Sequence, residues 1–392
     1  MIADISYALV LNLHQPPGCL EALLEQNDSE ARDILRALDR LPGALAQGIG
    51  RTHLALSGVL LETLSDPDFQ PRAADLLDGP AVLHSLQNAQ HISILGTAYY
   101  HPLLPLAPPA DWEAQLKRWQ GLARHLFGST RFPGFWPPEM GFCMELIPLL
   151  RRLGYRYVLV DSEHVEPVTP MRWEEVRYRP HAAGFGGEEI IVVVRDRELS
   201  QAQEAGMTTG GFIQEVAERI RWCDFPPLVT AGMNGPGGFP RPAPDGDFWT
   251  AFYQELAQRR DQRPVRPAFI NEYLDRYGVY GKVNVGPGAW HTDWHHGKGF
   301  MAWPASAAQE EVLRRVAEVS QALHGARQNA SRLRGYSPEL FHQLEEVYWR
   351  ILRAETSGNF LGDEVRIADC HRDLDEACAQ LDRVNALFKA GQ

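Results

Sequence analysis

One carboxylate in this sequence stands among aromatic side chains at what reads as a strand end. Glu139 lies in Phe135-Trp136-Pro137-Pro138-Glu139-Met140-Gly141-Phe142. Before it come a helical pattern (Trp112 to Phe127) and a Gly/Ser/Thr turn, and after it another helical pattern (Cys143 to Leu153). A short apolar piece between two helices is the signature of a βα unit. The two prolines stop the strand from extending a backbone ladder. Glu139 then falls at the carboxyl end of the strand, where α/β barrels carry out their chemistry. Phe135 and Trp136 beside it offer flat apolar faces of the kind that stack on sugar rings. The competing reading makes Glu139 a first-turn acid favouring the next helix.

The elements that must position this group repeat the pattern. Ile5 to Leu13 is a β-rich run that ends in His14-Gln15-Pro16. Thr52 to Gly58 and His91 to Gly96 are further strands, the latter followed by Thr97-Ala98-Tyr99-Tyr100-His101-Pro102. Tyr155 to Asp161 is a fifth strand, Glu189 to Arg195 a sixth and Pro227 to Gly232 a seventh. Arg177 to His181 is expected to be extended as well, joined to the sixth strand through the turn Gly184-Phe185-Gly186-Gly187. Helical spacing links these pieces, at Glu30 to Gly50, Asp75 to Gln90 and Phe212 to Arg221. Seven βα-like units are one short of the eight-fold barrel. After a Gly- and Pro-rich loop (Asn234 to Asp247), helical patterns dominate: Phe248 to Gln258, Ala305 to Leu323, Pro338 to Glu355 and Val365 to Leu387. The expected fold class is therefore α/β, an incomplete (β/α)7 TIM-like barrel over residues 1–260. A C-terminal helical region, 261–392, is expected to pack on the barrel mouth.

Composition narrows the function. Of the 392 residues 44% are hydrophobic and 22% charged, as in a soluble globular protein. The net charge of −12 argues against nucleic acid and anionic membranes as partners and leaves a neutral glycan open. No basic leader precedes Ile5 and no apolar run reaches membrane-spanning length. The five cysteines form no CxxC pair. A cytoplasmic protein with reduced thiols is expected. None of His14, His101, Asp161, His164, His291, His295 and His296 shows an HxxxH or HExxH spacing on a helix, and His295-His296 beside glycines reads as a loop pair, so no metal is expected. Without a phosphate loop or a GxSxG elbow, no cofactor is expected either.

Taken in order, His14-Gln15-Pro16, Leu95 to Pro102 and Trp136-Pro137-Pro138-Glu139 resemble three motifs of glycoside hydrolase family 57. The similarity continues in Trp290-His291-Thr292-Asp293-Trp294, Phe300 to Trp303 and Arg353 to Phe360. That family contains α-amylases, 4-α-glucanotransferases and branching enzymes acting on α-glucans. The resemblance implies a (β/α)7 barrel with a helical domain and a retaining mechanism in which one carboxylate attacks the anomeric carbon and a carboxylic acid protonates the departing oxygen. It makes Glu139 the nucleophile. His14 and His101 become contacts to the central sugar, with Trp136, Trp290, His291 and Trp294 as stacking or hydroxyl-binding groups on an α-glucan or maltooligosaccharide.

The family's acid/base is an Asp after the seventh strand, commonly in an Asp-Gly-Glu-Asn-like tetrapeptide. Here that place reads Ala231-Gly232-Met233-Asn234, which puts Ala231 at the acid position, and no Asp or Glu lies between Phe225 and Pro244. General acid help is worth about 10²–10⁴-fold, so hydrolysis of ordinary α-glucans is expected to be weak or absent. Two alternatives stay open. One is an active retaining hydrolase or 4-α-glucanotransferase that has recruited Asp245, Asp247, Asp161 or Asp293 as a surrogate acid. The other is a non-catalytic α-glucan-binding protein.

Overall fold

The computed structural model describes residues 5–26, 29–47, 50–129, 131–235, 246–259, 264–290, 299–301, 303–332, 338–360 and 364–390. Seven parallel strands form the barrel. They are Ile5–Leu13, Thr52–Leu56, Ile92–Leu95, Gly134–Phe135, Tyr157–Asp161, Glu188–Arg195 and Leu228–Asn234, called here the first to the seventh. The first strand is the hub. It pairs with the seventh from Ser6↔Leu228 to Asn12↔Asn234, and with the second from Leu9↔Thr52 to Leu13↔Leu56. The second pairs with the third, the fourth with the fifth, and the fifth with the sixth.

Two seams in this circuit are thin, which makes the barrel incomplete. The third and fourth strands meet at the single bridge Gly96↔Phe135. The sixth reaches the seventh through Asp196 N donating to Thr230 O at 2.9 Å. Glycines allow close approach at the first seam: a Cβ on Gly96 would come within 2.2 Å of the Tyr155 ring. Outside the ring of strands, helices such as Pro109–Phe127, Arg197–Glu204 and Thr209–Arg219 bury their apolar faces against it.

Some segments fold otherwise than their pattern predicts. Arg177 and Tyr178 end a helix, Trp173–Tyr178, and the extended piece begins only at His181. Glu175 accepts from the Arg172 backbone N–H at 2.9 Å and so starts that helix, while Pro180 drives Arg179 to extended backbone (φ −128°). The helix expected from Asp75 begins at Gly79, because Asp78 caps it by accepting from Ala81 N at 2.9 Å. The seventh strand runs two residues further than expected, to Asn234. Beyond the expected boundary at 260, Val265–Pro267 adds a parallel strand to the start of the first strand.

The helices Ala307–Arg332, Pro338–Ala354 and Glu364–Ala390 pack on one another at the C-terminal end of the chain. Polar contacts tie them to the barrel: Gln115 Nε2 donates to Leu352 O at 2.9 Å, and His324 Nε2 lies 2.7 Å from Asp111 Oδ1. Among the described residues no helix is long and apolar enough to cross a membrane.

Candidate functional site

Glu139 sits where the fourth strand is cut off by Pro137 and Pro138. Its backbone is left-handed (φ 55°), as are those of Met140 (φ 54°) and His101 (φ 55°). Among the described residues these are the three non-glycine positions of that kind, and two of them touch each other. Left-handed backbone costs a non-glycine residue about 1–3 kcal/mol, and such strain concentrates at functional sites. The surroundings hold the turn in place. Trp290 N donates to Glu139 O at 3.0 Å, and Phe142 and Gly288 exchange two backbone bonds.

Glu139 is 6% exposed. Trp290 Nε1 donates to Oε2 at 2.7 Å and Ser357 Oγ donates to Oε1 at 2.7 Å. His101 Nδ1 lies 3.5 Å from the same Oε1. Glu139 therefore does not serve the next helix as a capping acid, because its oxygens are taken up by side chains from distant parts of the chain.

Two histidines lie flat on each other. The rings of His14 and His101 are parallel within 7° and 4.0 Å apart. His14 Nδ1 is 3.0 Å from Ser57 Oγ, whereas its buried Nε2 has no hydrogen-bond partner among the described residues. Burial, then His101 and then Arg366, hold the His14 pKa well below its ordinary value, so the ring is neutral. His101 Nε2 lies 3.4 Å from Asn12 Oδ1, and Asn12 Nδ2 donates to Asn234 Oδ1 at 3.2 Å.

Trp136 is fully buried, edge to face with Trp290 at 5.7 Å, and its Nε1 also lacks a partner among the described residues. Its ring lies where a Cβ on Gly232 would fall, 2.7 Å away. It is thus a wall of the site rather than an open stacking platform. Ala231 is buried in the seventh strand and pairs with Leu9.

Asp161 lies in a separate ion cluster. Arg195 Nη1 donates to its Oδ2 at 2.6 Å, Arg197 Nε to its Oδ1 at 2.8 Å, and Glu163 N to Oδ1 at 3.1 Å. This cluster supports the wall of the site: Arg197 Nη2 and His164 Nε2 both bond Ala289 O, next to Trp290. A carboxylate with both oxygens bound to guanidinium groups orients its neighbours. His291, Asp293, Trp294, His295, His296 and Asp245 lie outside the described residues, as does the side chain of Asp247. Among the described residues no three His, Cys, Asp or Glu side chains converge on a metal position.

Sequence reasoning passed over Asn12, Ser357, Arg195 and Arg197. Asn12 carried a signal, being a polar side chain at the end of the apolar run Tyr7 to Leu11 and two residues, one strand repeat, before His14. Ser357 lies within the segment Arg353 to Phe360 that shares the resemblance, but with 218 residues between them nothing local tied its hydroxyl to Glu139.

Comparison with known proteins bears on the lineage and the fold. The model of glycosyl hydrolase family 57 matches residues 35–280. An α-amylase of Pyrococcus horikoshii is 28% identical over 196 residues, 50% of this chain and 28% of that protein. A 4-α-glucanotransferase of Thermococcus kodakarensis is 27% identical over 196 residues, 50% of this chain and 27% of that one. The matched stretch is thus little more than a quarter of these relatives. Among solved structures, the family 57 branching enzyme of P. horikoshii superposes with a TM-score of 0.72 at 16% identity, over 96% of this chain and 88% of that one. The α-amylase AmyC of Thermotoga maritima gives 0.72 at 12% identity, over 99% and 94%. At such identities the likeness establishes the fold.

Proposed function

The chain belongs to glycosyl hydrolase family 57, and from that premise we propose that its barrel mouth is an α-glucan-directed site with a live nucleophile, Glu139, and no proton donor opposite it. The observation that carries this reading is the Glu139 carboxylate, strained at its backbone and oriented by Trp290, Ser357 and His101. Two charge-assisted hydrogen bonds orient the carboxylate for attack on an anomeric carbon. The unpartnered His14 Nε2 and Trp136 Nε1 support a polyhydroxylated ligand. Leaving a buried polar atom unpaired costs about 1–3 kcal/mol, which a sugar hydroxyl would relieve.

Glycosidic cleavage also needs a proton for the departing oxygen. No Asp or Glu lies from Phe225 to Pro244, around the end of the seventh strand, and Asp161 is held by two arginines. Hydrolysis of glycogen or starch is therefore weak, slowed by about 10²–10⁴-fold for want of an acid.

An α-glucosyl fluoride tests this, because fluoride departs with little acid help. Turnover of the fluoride, accelerated by azide and abolished in Glu139→Gln, is the expected result, with glycogen cleaved far more slowly. Equal rates on glycogen and the fluoride without azide would overturn the reading, pointing to a surrogate acid among Asp245, Asp247 and Asp293. Binding of maltooligosaccharide with no reaction of either substrate would overturn it in favour of a binding protein.

A further inference from the structure

Strand alternation shows which residue of the seventh strand can face the site. Tyr7 points out of the barrel: its hydroxyl donates to Gln203 Oε1 at 2.9 Å, and its ring packs on Phe212 at 4.9 Å, both residues of the surrounding helices. Leu9 is two residues on and shares that outward face. Its register partner is Ala231, so the Ala231 methyl points at the helix layer. Gly232 and Asn234 are on the other face. A Cβ on Gly232 would strike Trp136, and Asn234 Oδ1 accepts from Asn12 Nδ2 at 3.2 Å. Asn12 in turn contacts the His101 ring, which touches Glu139.

We infer that position 234, not 231, is where a proton donor would act on the sugar that Glu139 attacks, and that Asn234 holds it with an amide in place of a carboxylic acid. This rests on the reading of Glu139 as nucleophile. Asn and Asp have nearly the same shape, so the amide preserves the pocket and its hydrogen bond from Asn12. It can donate a hydrogen bond to a bridging oxygen, yet it cannot release the proton. With a carboxylic acid there, Glu139 Oε attacks C1 as the C1–O bond breaks and the leaving oxygen takes the acid's proton. Water then attacks C1, returns its proton to the carboxylate and frees Glu139. An acid at 231 would instead be buried against the helices, a charge without a partner.

The inference predicts a gain of function. Purified wild type, Asn234→Asp, Asn234→Glu and Ala231→Asp are compared on maltotetraose and on α-maltosyl fluoride with and without azide, and melting curves check folding. Asn234→Asp should raise kcat/KM on maltotetraose by about 10²–10⁴-fold. It should also add an alkaline limb to the pH profile and abolish azide acceleration. Asn234→Glu, one methylene longer, should gain less but with the same sign. Ala231→Asp should gain nothing and melt lower. If the wild type turns over the fluoride with azide but neither folded 234 variant gains on maltotetraose, the inference fails while the Glu139 reading stands. A gain in Ala231→Asp alone overturns it as well. Fluoride turnover absent from every protein removes the Glu139 reading and this inference with it.

Discussion

Acidification from pH 7 to pH 4 should cost the fold about 3 kcal/mol through His53 alone. His53 Nδ1 is 3.0 Å from Leu9 O, a pure acceptor, so that nitrogen bears the proton. Ile270 N donates to its Nε2 at 3.2 Å. One neutral ring thereby joins the first two strands to the start of the helix Ile270–Tyr277. Burial pulls its pKa down to about 4, against partial support from the Leu9 carbonyl. In the unfolded chain the ring titrates near 6.5. Between those values the unfolded state binds a proton that the folded state refuses, so stability falls as the pH drops. The difference, 6.5 − 4 or about 2.5 units, at about 1.4 kcal/mol per unit gives roughly 3 kcal/mol. Urea unfolding followed by tryptophan fluorescence at pH 7, 5.5 and 4 measures this in the wild type and in His53→Gln. The variant should be less stable at pH 7 by about 1–3 kcal/mol for its lost hydrogen bonds. Its loss on going to pH 4 should be smaller by about 3 kcal/mol. His14 has the same sign but is present in both proteins and cancels. Parallel stability–pH curves would refute the argument.

Three substitutions probe the site and its supports. Trp290→Phe keeps a ring against Trp136 but removes the N–H that bonds Glu139 Oε2. Losing a hydrogen bond to a charged group, about 1.5–3 kcal/mol, should slow turnover of the glucosyl fluoride roughly ten- to hundredfold. Asp161→Asn leaves the buried Arg195 without its counter-ion. Denaturant titration should show a loss of about 3–5 kcal/mol. Gly232→Ala puts a methyl 2.7 Å from the Trp136 ring. Overpacking of about 1–3 kcal/mol should appear as a lower Tm, with altered tryptophan fluorescence as the ring is displaced.

By itself the sequence determined the kind of fold and the strand end on which Glu139 sits. Alternating strand and helix periods, broken by Pro137 and Pro138 and by the polar ends at His14 and His101, were enough to place Glu139 at a barrel mouth. These signals are local, set within ten or so residues by side-chain period and by backbone groups that proline cannot supply. What surrounds the carboxylate was not local. Ser357 and Trp290 arrive from 218 and 151 residues away, and no spacing rule connects them to Glu139. The face of the seventh strand was also beyond the sequence. A shift of one residue turns every side chain to the opposite side, so the sequence match that put Ala231 at the acid position left open which way its methyl faces until pairing with Leu9 and Asn12 set the register. Only the tertiary structure decided that an alanine looks outward and an asparagine looks in.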